Sequence, residues 1–207
     1  MKLKRILSLA LSGVLAVSML TACGIGGGSG IFGAGDQSSN FASTLNGKLD
    51  DKTAEVIRYR SNDSELKKAI RTVADVVTEK TANSATGENF PSELTTTVET
   101  MTTYGKLSTG GPWAPKDEEG TYVKVYVFNA NDDDYNTLDE VATAVKDSLA
   151  TINLWDAVNG SGFTNSYAGN VAAYKVTIPT ASSSSGAKDA AAWVIGVAIE
   201  QTVTAAK

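Results

Sequence analysis

The chain has 207 residues, 42% hydrophobic and 20% charged, and its 18 Lys and Arg face 23 Asp and Glu for a formal net charge of −5. An acidic surface repels phosphate, which argues against nucleic acid and anionic headgroups as partners. There is no histidine and one cysteine, Cys23, which excludes internal disulfides, Ser-His-Asp triads, and His or Cys clusters for zinc, iron or copper.

Lys2, Lys4 and Arg5 precede an apolar run from Ile6 to Leu20 broken only by Ser8, Ser12, Gly13 and Ser18, the layout of a secretory signal. Leu20-Thr21-Ala22-Cys23 closes that run and resembles the lipobox of bacterial lipoprotein precursors. The resemblance covers residues 1–23 alone. It implies a diacylglyceryl group on the Cys23 thiol, cleavage between Ala22 and Cys23, and a lipid anchor on the extracytoplasmic face of the cell membrane. Residues 1–22 are therefore read as a signal peptide, although an uncleaved span is the competing reading for an apolar run at the lower edge of bilayer-crossing length. Loss of three basic residues with the signal lowers the formal charge to −8, so attachment must come from lipid, for which two acyl chains suffice.

Residues 23–46 are read as the acylated cysteine and a flexible tether, because Gly, Ser, Ala and Asn dominate them. A Gly-rich coil of that length spans roughly 26 Å. Gly28-Ser29-Gly30-Ile31-Phe32-Gly33 spells G-x-G-x-x-G, but no strand precedes it, so it is composition and not a dinucleotide loop. Residues 47–207 are a normal length for one domain.

Asn62 and Glu65 can cap a helix over about 63–82, whose Leu66, Ile70, Val73 and Val77 share a face. Leu94 to Leu107, rich in threonine, reads as a strand, and Ser108 to Gly120, with Gly110, Gly111, Pro112 and Pro115, as a long exposed turn. Tyr122 to Phe128 alternates clearly and predicts a strand. Thr137 and Glu140 form a capping box for a helix carrying Leu138, Val141, Val145, Leu149 and Ile152, with its end by Gly160. Val171 to Ile178 and Trp193 to Ile199 predict two further strands, the second from its β-branched run. The resulting expectation is an α+β single domain, an antiparallel sheet of about four strands with helices packed on one face.

Few groups for chemistry remain. Asn129, Asn131, Asp133 and Glu140 stand at positions 1, 3, 5 and 12 of an EF-hand-like calcium loop, with Asp134 where the turn calls for glycine. Calcium is thus the one candidate cofactor, against the plainer reading of a polar loop leading into a helix. Ser64-Glu65-Leu66-Lys67 spells S-x-x-K without its companion motifs. Asp117, Glu118, Glu119, Asp132, Asp133 and Asp134 could supply a glycosidase-like pair, yet charged runs are usually solvated. Trp113, between Gly111 and Pro115, is the aromatic placed for exposure and ligand contact, while Trp155 reads as core. These observations predict a membrane-anchored, non-catalytic binding or envelope-assembly module. Its partners would be the membrane, through lipid, and an envelope protein or cell-wall component. The alternative is a carboxylate-dependent hydrolase acting on glycan or cell wall.

Overall fold

The computed structural model describes residues 35–77, 92–160, 162–178 and 189–205; the signal peptide, the lipobox with Cys23 and residues 24–34 lie outside them. In chain order the elements are β1 (Gly35–Asp36), α1 (Ser38–Gly47), α2 (Asp51–Val56), β2 (Tyr59–Arg60), α3 (Ser64–Ala74), α4 (Ser92–Thr102), β3 (Gly105–Lys106), β4 (Gly120–Asn129), α5 (Leu138–Ala150), a 3-10 turn (Leu154–Ala157), β5 (Asn159–Gly160), β6 (Phe163–Ile178) and β7 (Ala190–Ala205).

The chain is α+β, as the sequence predicts, but the sheet is larger than four strands and mixed. β6 and β7 form a long antiparallel hairpin running from Ile178 opposite Ala190 to Phe163 opposite Ala205. β4 adds antiparallel to the other side of β7, and β3 lies parallel beyond it. The outer side of β6 is met by three two-residue strands in succession: β5 at Phe163 and Thr164, β2 in parallel at Gly169 and Asn170, and β1 at Tyr174 and Lys175. Short strands of this kind blunt an edge that would otherwise offer a row of free backbone groups.

Helices cover both faces of the sheet, a second correction. In β7 the side chains of Trp193, Ile195, Val197 and Ile199 join one core, with Tyr126 and Phe128 of β4. Ala192, Val194 and Ala198 join the other, with Val123, Val125 and Val127. A strand buried on both faces reads as a continuous apolar run instead of an alternating one, which is what residues 190–199 show. The first core is closed by Phe41 and Leu45 of α1 and by Val141, Val145 and Leu149 of α5. The second is closed by Leu66, Ile70 and Val73 of α3 and Val98 of α4. α3 lies so close to β7 that a Cβ on Gly196 would stand 2.4 Å from Ile70 Cδ1, so any side chain there would have to displace Ile70.

The predicted helices α3 and α5 form, α3 over Ser64–Ala74 with Asp63 and not Asn62 as its cap, residues 78–82 of the predicted span lying outside those described, and α5 with both arms of the Thr137–Glu140 capping box in place. The predicted tether is corrected over 35–46. β1 and α1 occupy that stretch, and Phe41 and Leu45 are fully buried. Ser38 Oγ accepts the Ala173 amide at 3.0 Å and the Gln37 amide donates to Ala173 O at 2.8 Å, so α1 is fastened to β6 at its entry. The strand predicted over 94–107 is a helix as far as Thr102. Its threonines return hydroxyl bonds to the preceding turn, Thr97 to Glu93 O, Thr100 to Thr96 O and Thr102 to Val98 O, the rotamer in which a helical threonine reaches the carbonyl four residues back. Among the described residues no helix is long and apolar enough to cross a membrane.

Candidate functional site

The most distinctive surface feature is built at the end of α5. After its C-cap Thr151 the chain reaches Asn153, whose φ of 47° is left-handed, a conformation asparagine tolerates better than most residues. That reversal resets the helical phase. In the 3-10 turn that follows, with three residues per turn, Leu154 and Ala157 point inward and are buried, whereas Trp155 is 43% exposed. The Asn153 amide donates to the Asp156 carboxylate. From beneath, Asn165 and Tyr167 of β6 hold the turn, the Asn165 amide at 2.9 Å and the Tyr167 hydroxyl at 2.9 Å from Ala157 O.

Three open clefts surround this turn. One of about 340 Å³ lies toward α2 and the end of α5 and is lined by Asp50, Lys52, Lys146, Trp155 and Asp156. A second of about 430 Å³ is lined by Glu55, Val56, Trp155, Val158, Asn165 and Ser166. Asp156 is shared with a third, of about 450 Å³, beside Lys116, Asp117 and Asn159. Asn165 is buried and donates through Nδ2 to Lys116 O and Ala157 O, yet its Oδ1 has no partner among the described residues.

The structure exchanges the roles that the sequence suggests for two tryptophans. Trp113 is 3% exposed: its indole N–H donates to Gln201 Oε1 and its ring meets Tyr122 and Tyr167 edge to face at 5.3 and 5.8 Å. Gln201, itself 1% exposed, donates through Nε2 to Glu118 O at 2.7 Å and to Pro115 O. The segment 108–119 is therefore a fastened cover and not a free turn. A buried amide with donors and acceptors all matched is what allows such a loop to pack. Trp155, by contrast, leaves the core because the helix stops at Ala150. The signal in the sequence is Asn153 directly after Ile152, a helix-ending residue type behind the last periodic apolar position.

Three of the four residues at the calcium-like spacing take part in turns and a cap. Asn129 Oδ1 accepts the Asn131 amide at 3.0 Å, and Asn131 Nδ2 donates to Asp189 O at 3.1 Å. Asp132 Oδ1 accepts the Asp134 amide at 3.0 Å. Glu140 Oε2 accepts from the Thr137 amide at 2.9 Å and hydroxyl at 2.7 Å. Asp133 is exposed, and among the described residues no group of three acidic, His or Cys side chains could hold a metal ion. Lys67 of the S-x-x-K spelling pairs with Asp36 at 3.2 Å. A second hydroxyl–amine cluster escaped the sequence: Lys124 Nζ donates to Thr109 Oγ1 and to Ser148 Oγ at 3.5 Å, and Ser148 lies 3.2 Å from the Tyr126 hydroxyl. Ser148 is buried, and through it the cluster joins α5 to β4.

Titration follows from the same burial. Burial raises Tyr59, and it raises Tyr104 as well, whose hydroxyl also donates to Asp63 at 2.9 Å. Tyr122, Tyr167 and Tyr174 are likewise raised by desolvation. A phenol raised in the fold contributes stability that is complete below the ordinary value near 10 and is lost as pH climbs above it. Partial burial acts to raise Asp36, but hydrogen bonds from Ser38 and the Lys67 amine outweigh it and hold the carboxyl low; that contribution disappears only as pH falls through the acid range. With no histidine in the chain, urea midpoints should be level from about pH 6 to 9 and fall above about pH 10. A transition near pH 6.5 would contradict this assignment.

Comparison with known proteins returns nothing similar: no family model, no curated protein and no solved structure matches the chain.

Proposed function

We propose that this chain is a lipoprotein held through Cys23 on the extracytoplasmic face of the cell membrane, and that its folded unit is a non-catalytic binding module of the envelope. The observation that supports binding is Trp155, a large aromatic kept at the surface by a left-handed residue and two buried neighbours, between clefts lined with charged and amide groups. An exposed ring with convergent polar groups is the usual make-up of a recognition surface. The anchor rests on the lipobox resemblance at residues 20–23. The partner is an envelope protein or a cell-wall component, and the acidic charge disfavours nucleic acid.

Labelling cells with a tagged palmitate and crosslinking them before purification tests both halves. The chain should carry label in the membrane fraction, Cys23→Ser should be unlabelled and displaced from it, and the crosslinked chain should retain an envelope protein or wall material. Equal labelling of Cys23→Ser would overturn the anchor. The hydrolase reading has one observation in its favour, that Asp117 and Asp156 line the same cleft. Release of new reducing ends from isolated cell wall, abolished in Asp117→Asn, would select it; no release by the full chain removes it.

A further inference from the structure

We propose that the clefts around Trp155 form a binding site for a neutral, N-acetylated glycan. This rests on the binding-module reading above and assigns its ligand. A pyranose ring presents one face of partly positive C–H groups and a rim of hydroxyls. The Trp155 ring, 43% exposed, can answer the first, because the π-cloud of an indole is negative at its face and broad enough to cover a sugar ring. The rim needs both donors and acceptors, since each hydroxyl is both.

The linings supply this mixture. Asp50 and Asp156 stand with Lys52 and Lys146 in the first cleft, whereas the third has Asp117 and Asp156 against Lys116 and the second has Glu55 alone. The first wall is balanced in formal charge and the other two are acidic, so an anionic ligand is disfavoured and a neutral, hydroxylated one finds both donors and acceptors. Each cleft, at about 340 to 450 Å³, is near the lower end of the range that holds small ligands, the size of one or two sugar rings.

The second cleft points to the acetamido group. That substituent carries a methyl, an N–H and a carbonyl within one small plane. The cleft offers Val56 and Val158 as apolar wall beside Asn165 and Ser166. Asn165 Oδ1 is an acceptor with no partner among the described residues, closed to solvent behind the cleft wall so that a ligand meets it only as the wall yields, whereas both protons of its amide nitrogen are engaged by Lys116 O and Ala157 O. An unmatched buried acceptor is costly, and an N–H donor is its complement. A peptide would also bring N–H groups, but it lacks the flat C–H face that Trp155 accommodates.

The test uses the purified full chain in a detergent without a sugar headgroup and follows tryptophan fluorescence. Trp113 and Trp193 are buried, so a ligand signal reports Trp155. A trimer of β-1,4-linked N-acetylglucosamine should give a saturable change, and the matching glucose trimer should bind about tenfold more weakly, the loss of one well-made contact. Trp155→Ala should abolish saturation measured by calorimetry while the protein still unfolds cooperatively with only a small shift in midpoint, and Trp155→Phe should restore part of the affinity. No saturable binding by the wild type, equal affinity for the two trimers, unchanged affinity in Trp155→Ala, or displacement by wall-derived peptide alone would each overturn the assignment. If the glycan fails while crosslinking captures an envelope protein, only the ligand is wrong and the module reading stands.

Discussion

Trp113→Ala should be among the most destabilising single substitutions in this chain, lowering unfolding free energy by about 4 kcal/mol, in the range for emptying a large aromatic site in a core. Three losses coincide. The ring leaves a cavity between Tyr122 and Tyr167, Gln201 Oε1 loses its indole donor inside the core, and the cover at 108–119 loses its central contact. Since a domain is stable by only about 5 to 15 kcal/mol in total, the variant should unfold at much lower denaturant or fail to accumulate. Trp155→Ala in the same urea titration should shift stability by under about 1 kcal/mol, as expected of an exposed position. The two tryptophans thus separate folding from recognition. Equal effects would show that their placement is wrong.

Phe41→Ala carries the second large effect, about 3 to 4 kcal/mol, typical of removing a buried phenylalanine. A residue in a flexible tether would cost nothing, so the experiment decides where the tether ends. Phe41 and Leu45 are one helical turn apart on the face of α1 that joins the core of α5, β6 and β7. Equilibrium unfolding of Phe41→Ala beside an alanine substitution at the exposed Asn40 should show the loss in the first alone. An unchanged midpoint in Phe41→Ala would return residues 35–46 to the linker.

What the sequence could tell depended on how local each signal was. β4, α3 and α5 are legible because alternation, helical spacing and capping groups all act within a few residues, and Thr137 with Glu140 specifies its helix start without help from the rest of the chain. α1 is hidden because serine and asparagine surround its two large apolar residues, so that composition outweighs the Phe41–Leu45 spacing. α4 is hidden because threonine favours strands on average, while Leu94 and Val98 stand one helical turn apart. β1, β2 and β5 are two residues long, and their existence depends entirely on β6. The same limit governs the site. Trp113 is drawn inward by Gln201, 88 residues away, and no local pattern records that. Trp155 is turned outward by one left-handed residue that halts the extrapolated helix.

The hairpin of β6 and β7 comes last in the chain, yet β1, β2, β4 and β5 all pair with it. A chain emerging from its N-terminus can form α1, α3 and α5 only as isolated, marginal helices, while the sheet they rest on waits for residues 163–205. Such long-range pairing places folding on the slow, millisecond-to-second side of the contact-order relation. Folding of this unit is therefore all-or-none in order: the segments before residue 163 have no sheet to lock onto until β6 and β7 are present.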